Sequence, residues 1–261
     1  VPSTLGLALT PQLATTPPSY RVTVSETGSP SVGSVTVLRT DPDGLTRPVR
    51  TTDGGPLPIS GGTATVTDNE VPFGVPVTYS IAVNNNPTIA GNLQVPEAWL
   101  IHLGVPSKSV MLPTIAELTD REQDTAAVVL QPMDRPRPLT IAGSSRPSET
   151  GGLVVQTSTS SELVAMRALL DDDSVLLFNV PPSLGYLEPT AYVSIGRARA
   201  ARLVDYGPEQ RRLWTLPYQV VDRPAGGTRA QVAHADVSAR FARWSDISAG
   251  TTWAQIAAGT A

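Results

Sequence analysis

Two histidines, a triplet of aspartates and a run of arginines are the residues here whose types and spacing offer chemistry. His102 and His234 are the only histidines. His234 and Asp236 stand two apart, as a base and its orienter would, but no serine in a G-x-S-x-G elbow accompanies them. No H-E-x-x-H or other paired-histidine zinc pattern occurs, and a chain without cysteine has neither a thiolate metal site nor a disulfide. Asp171, Asp172 and Asp173 cluster carboxylates of the kind a hard cation takes. Asp41-Pro42-Asp43-Gly44 starts like a calcium loop, yet the later ligands and the closing Glu are missing. Both stretches read first as a turn and a helix stop. Glycosidase carboxylates pair in space rather than in sequence, and nothing favours them. The expectation is a protein that is not an enzyme, with no metal and no cofactor.

Arg197, Arg199, Arg202, Arg211 and Arg212 form the one basic concentration. A nucleic-acid groove would interleave aromatics and sit in a basic domain. The formal net charge is −4, so specific nucleic-acid binding is not expected. The arginines read instead as a solvated or subunit-facing strand surface, since arginine is enriched in interfaces and pairs carboxylates bidentately. No apolar run reaches the roughly 18–20 residues of a membrane span, so no membrane partner is expected.

The elements that would position these residues are mostly strands. Twenty-five prolines with many Thr, Ser and Val favour strands joined by turns. "YRVTV", "SVTVLRT" and "GTATVTD" alternate at period two, with a turn at "DPDG". In "VPVTYSIAV", Val75, Val77, Tyr79, Ile81 and Val83 fall on one face. Such spacing predicts a small β-sandwich over 19–92, closed by the turn-rich "NNNPTIAGN". Residues 1–18 lack the charged start of a signal peptide and read as an extended arm.

A second β unit is expected over 93–224, carrying "DTAAVVLQPM", "GGLVVQT", "SVLLFNV", "TAYVSIG" and "RRLWTLPYQVVD". Pro217 interrupts the last run and predicts an edge strand or a bulge. One helix, at about 160–171, stands among these strands. Thr159-Ser160-Ser161-Glu162 has the capping-box pattern. Leu163, Met166, Leu169 and Leu170 make an apolar stripe that would cover one sheet face. Residues 225–261 form a further extension, ending in a near-repeat: "WSDISAGT" from Trp244 and "WAQIAAGT" from Trp253. Trp244 with Ile247, and Trp253 with Ile256, read as short helical anchors for a groove of a neighbouring subunit. Closing the chain's own core is the other reading.

Two stretches resemble a known family. "SVTVLRTDPDGLTRPVRTTDGGPLPISGGTATVTDNEVPFGVPVTYSIAV" looks like the fibronectin-type-III-like domain of minor tail proteins of siphophages that infect actinobacteria. Its recognisable parts are Arg39 to Gly44, Val49-Arg50, Asp68 to Pro72 and Val77 to Tyr79. Asn69 stands where an aromatic is common. "GGLVVQTSTSSELVAMRALL", "SVLLFNVPP", "AYVSIG" and "RRLWTLPYQVVDRP" resemble the core of the same proteins, which is akin to the distal-tail and tail-tube fold.

The resemblance implies a mainly β protein: a fibronectin-III-like sandwich, then a tube-like sandwich with one flanking helix. It also implies a structural virion protein of the phage tail tip or baseplate. As a distal tail or minor tail protein it would form a homo-oligomeric ring, hexameric or trimeric, contacting tail tube, tape measure and tail hub proteins. The alternative is a carbohydrate-binding adhesin on the host envelope. With four Trp, six Tyr and three Phe, the chain has few aromatics to line a sugar groove.

Overall fold

The computed structural model describes residues 4–28, 32–51, 53–82, 87–123, 127–130, 139–142, 148–172, 174–185, 190–203 and 210–224. They form a mainly β protein. Its first part contains β1 (Thr4–Gln12), β2 (Ser19–Thr27), β3 (Ser34–Val35), β4 (Val37–Thr40), β5 (Thr46–Pro48), β6 (Leu57–Pro58), β7 (Thr63–Asp68), β8 (Pro76–Ile81) and β9 (Thr88–Asn92). A three-stranded sheet, β1-β2-β7, faces a four-stranded sheet, β5-β4-β8-β9, and β3 pairs with β6. The period-two residues meet between them: Tyr20, Val22, Val24, Val37, Val66, Val77, Tyr79 and Ile81 share one core. A Cβ on Gly91 would stand 2.9 Å from Leu9 and 3.1 Å from Tyr20, so glycine lets β9 approach the other sheet.

The expected arm is partly a strand. β1 pairs antiparallel with β2 over its whole length, from Thr4 opposite Thr27 to Gln12 opposite Ser19. Leu5, Leu7 and Leu9 alternate and pack on the core, which gives this segment the strand pattern. The second half of the expected boundary, 88–92, is likewise β9.

The second part contains β10 (Ala98–His102), β11 (Val110–Leu112), β12 (Thr114–Leu118), β13 (Ala127–Leu130), β14 (Leu139–Ala142), β15 (Thr150–Thr157), α1 (Ser160–Leu170), β16 (Leu176–Asn179), β17 (Thr190–Ile195), β18 (Arg199–Arg202) and β19 (Arg212–Val220). One large antiparallel sheet runs β11-β10-β16-β17-β19-β15-β12, with β18 also on β19, while β13 and β14 pair as a separate hairpin.

β10 and β16 are buried at every position. A strand covered on both faces loses polar alternation, which is why "AWLIH" and "LLFN" read as continuous apolar runs. Trp99, Ile101 and Leu177 join the sandwich core. Ala98, Leu100, Leu176 and Phe178 face the other way, into a second core with Met166 and Leu169 of α1. The sandwich therefore packs on one face of the large sheet and the helix on the other. Burying each large apolar side chain contributes about 1.5–3 kcal/mol.

The helix starts as its cap pattern predicts. The Thr159 hydroxyl accepts from the Glu162 N–H at 3.2 Å, and the Glu162 carboxylate accepts from the Ser158 and Thr159 N–H groups at 2.7 and 3.4 Å. Met166 and Leu169 are fully buried, Leu163 and Leu170 are half-buried, and Val164 faces solvent.

Of the two readings of Pro217, an edge or a bulge, the edge is wrong and an irregularity of the bulge kind is present. Three residues, 196–198, stand opposite 216–217 between the β17 and β18 ladders. β19 is interior, pairing β15 along one side and β17 and β18 along the other. Its neighbour is interrupted at Gly196, whose N–H donates to the Pro217 carbonyl at 2.7 Å. The missing proline donor thus falls at the break between two strands, where the ladder is already interrupted.

Candidate functional site

Inward positions alternate as Val35-Val37-Arg39 along β3 and β4 and as Ala64-Val66-Asp68 along β7. Each inward series ends in a charge. Arg39 and Asp68 are 4% and 2% exposed, and they meet across the end of the core. Arg39 Nη1 donates to both Asp68 oxygens, at 2.9 and 2.7 Å. Its Nε and Nη2 hold Asp41, at 2.6 and 3.1 Å. Arg47 Nη1 reaches Asp41 at 2.6 Å, and its Nη2 reaches Asp43 at 2.9 Å. The Tyr79 hydroxyl donates to Asp68 at 2.8 Å. Burial would lower the Arg39 pKa, but Asp68 and Asp41 outweigh it and hold the guanidinium well above its usual value. Burial and the Asp68 charge push the Tyr79 phenol well up. Both groups therefore keep their protons across the working pH range.

A second knot lies one turn along, where the sandwich meets the large sheet. Asp68 Oδ1 accepts from the Glu70 N–H at 2.9 Å, which links the knots. Glu70 is 3% exposed. Its Oε1 is held by Arg50 Nε, while its Oε2 accepts from the Tyr192 hydroxyl and Arg223 Nε, each at 2.8 Å. Arg50 Nη2 donates to the Pro224 carbonyl and Arg223 Nη2 to the Pro48 carbonyl, each at 2.9 Å. Burial raises the Glu70 carboxyl, but Arg223 and Arg50 more than offset it, so the net shift is downward. Nearby, Asn179 on β16 clamps the chain after Glu70. Its amide donates to the Val71 carbonyl at 2.8 Å, and its oxygen accepts from the Phe73 N–H at 3.2 Å.

These residues are the recognisable parts of the tail-protein resemblance: Arg39, Asp41, Asp43, Arg50, Asp68, Glu70 and Tyr79. They do not present free functional groups to a ligand. Every acid in the two knots is taken by an arginine; the first knot closes the end of the sandwich, and the second joins it to the large sheet and the chain after β19. The 750 Å³ cleft beside them is lined by members of the same knots, including Asp41, Arg47, Tyr192 and Arg223.

Other candidates are placed as follows. Arg197, Arg199, Arg202 and Arg211 are exposed and Arg212 is half-buried. Arg202 lies opposite Arg212 in the ladder, so the concentration is one basic rim on β18 and the start of β19. His234, Asp236, Trp244, Ile247, Trp253 and Ile256 lie outside the described residues, as does Asp173. Among the described residues, no group of three or more His, Asp or Glu stands together as a metal cage, and no helix is long and apolar enough to cross a membrane.

His102 is buried at the end of β10. Its Nδ1 accepts from the Gly104 and Val105 N–H groups at 3.2 and 2.9 Å, so its proton is on Nε2. Nε2 lies 3.1 Å from the Ser174 hydroxyl and 3.4 Å from Asp172. A histidine that presents N–H to a serine cannot also take that serine's proton, so this contact is no nucleophile–base pair. Asp172 is paired to Lys108, and the cluster ties the end of α1 to the turn after β10.

Sequence reasoning passed over Tyr192, Asn179 and Arg223 as working residues. A signal existed for the sandwich half of the joint, since a charge in an inward period-two position requires a buried partner. None existed for Arg223, whose partner is far away in the chain.

No protein-family model matches the chain, and no curated protein matches it.

Proposed function

We propose that the chain is a structural virion protein of a long non-contractile phage tail, a distal tail or minor tail subunit at the tail tip. One observation carries this reading: the motif residues of the resemblance converge on two linked ion-pair knots, one at the end of the sandwich core and one where the sandwich meets the large sheet. Residues that were recognisable for a family are thus explained by architecture, as an assembly part requires, and not by a reaction. A three-stranded sheet facing a four-stranded one supports a fibronectin-III-like first unit. The large sheet with its single helix supports a second unit akin to the distal-tail and tube fold.

In this reading the second unit builds a homo-oligomeric ring, six copies being favoured. The sandwich is fixed to it and decorates the outside or grips a neighbour. The ring connects the tail tube to the hub and adhesion apparatus, and it needs no cofactor. Negative-stain electron microscopy of the purified protein, with mass photometry on the same sample, tests this. Closed rings with a central hole are expected. Monomers that bind host-wall glycan would overturn it in favour of an envelope adhesin.

A further inference from the structure

Four strands at one end of the large sheet, β12-β15-β19-β18, have two outer edges. Among the described residues, neither β12 nor β18 has a strand on its far side. The β12 edge and the chain just after it carry Glu117, Asp120 and Glu122, all exposed. The β18 edge and the chain just before it carry Arg197, Arg199 and Arg202, all exposed.

The register makes this opposition specific. Glu117 lies opposite Val154, Val154 opposite Thr215, and Thr215 opposite Arg199. One straight row across the outer face therefore begins in a carboxylate and ends in a guanidinium. The three ladders are antiparallel, so β12 and β18 run in opposite directions.

We infer that copies of this chain join head to tail, the β12 edge of one against the β18 edge of the next. The new ladder is antiparallel, like those beside it, and continues the row so that Glu117 faces the next copy's Arg199. Two copies related by a twofold axis would instead set Glu117 near Glu117, or Arg199 near Arg199. Like charges directly opposite are destabilising in a sheet, so the edges reject the isologous pairing. A head-to-tail contact repeats until it closes or extends, and strand twist turns each copy relative to the last. Unpaired edges are an aggregation hazard, and this pairing consumes both. The inference deepens the ring-subunit reading and rests on it.

Charge reversal tests the contact in the full-length protein. Mass photometry across a concentration series is applied to wild type, Glu117→Arg and Arg199→Glu. Both side chains are exposed, and circular dichroism checks that each variant is folded. Each single variant is expected to weaken association by about tenfold or more, because attraction becomes repulsion at the pair. An equimolar mixture of the two variants should regain it. One carries arginine at both positions of the pair and the other glutamate at both, so alternating copies match there. If wild type assembles and both single variants assemble equally well, this contact is overturned and the ring reading survives. Oxidation of a Glu117→Cys/Arg199→Cys double variant supplies a second measurement in a chain with no cysteine of its own. A ladder of linked copies supports the contact even where wild type is monomeric. Monomers with no ladder overturn both the contact and the ring.

Discussion

Arg39 sits where the alternation of β4 calls for a third valine. The position tolerates a guanidinium because five donors in a planar fork can satisfy Asp68 and Asp41 together. Removing it leaves Asp68 buried without a cation, while Asp41 keeps Arg47. Arg39→Ala should lower unfolding free energy by about 3–5 kcal/mol, the usual cost of breaking a buried pair from one side. Urea unfolding measures it, and a loss below about 1 kcal/mol would mean that water already reaches Asp68. His102 makes a separate prediction. Burial holds its imidazole below the usual histidine value, since a proton on Nδ1 would face the Gly104 and Val105 N–H groups. The unfolded chain takes that proton at about pH 6.5 and the folded chain only lower. Stability from this group is thus complete above about pH 6.5 and falls as pH drops toward the folded value. Glu70 acts in the same direction at lower pH, because its folded value is depressed below the ordinary carboxylate range. His102→Asn keeps an acceptor for the two N–H groups and removes the titration. The urea midpoint should then stay flat from pH 7 down to the carboxylate range, and an unchanged slope between pH 6.5 and 5 would refute the assignment.

At the scale of elements, α1 is stabilised by its cap and its buried stripe, and the two can be separated. Thr159→Ala removes the reciprocal cap and should cost about 1 kcal/mol. Met166→Ala opens a cavity between α1 and the sheet and should cost about 2–5 kcal/mol. Thermal or urea unfolding compares them, and a larger loss from the cap would contradict a helix held by packing. Much of this level was legible. The helix follows from Thr159 and Glu162 with a stripe at helical spacing, and β2, β7 and β8 follow from strict alternation. Three features were hidden for physical reasons. β1 contains Pro11 and a glycine, which mask three alternating leucines. β10 and β16 are covered on both faces, so periodicity cannot tell which residue meets which core. Pro217 signals an irregularity, but its own strand gives no sign that the break falls at Gly196 on the neighbouring one and leaves β19 interior.

At the scale of the whole molecule, the question is what keeps two β units at one angle. Apolar contact alone, through Trp99, Ile101 and Leu177, is non-directional and would tolerate sliding. The charged joint is directional. Glu70 is gripped from the sandwich by Arg50, from the large sheet by Tyr192, and from the chain leaving β19 by Arg223. Arg223 also holds the Pro48 carbonyl, so a single side chain spans both units. The proposed ring-subunit role calls for such a joint, because a swivel there would absorb movement passed along a tail. Arg223→Met should leave both cores folded, since Arg50 still neutralises Glu70. The loss should be about 2 kcal/mol, the scale of a charge-assisted hydrogen bond, and it should be local. Hydrogen exchange is the decisive measurement. The N–H groups of Glu70 and Phe73, at the joint, should exchange faster, while those of β2 and β8 should keep their protection. Equal acceleration everywhere would mean that Arg223 supports global stability and not the angle between the units. No acceleration at the joint would mean that the Asn179 clamp, which grips the Val71 carbonyl and the Phe73 N–H from β16, fixes that angle without it.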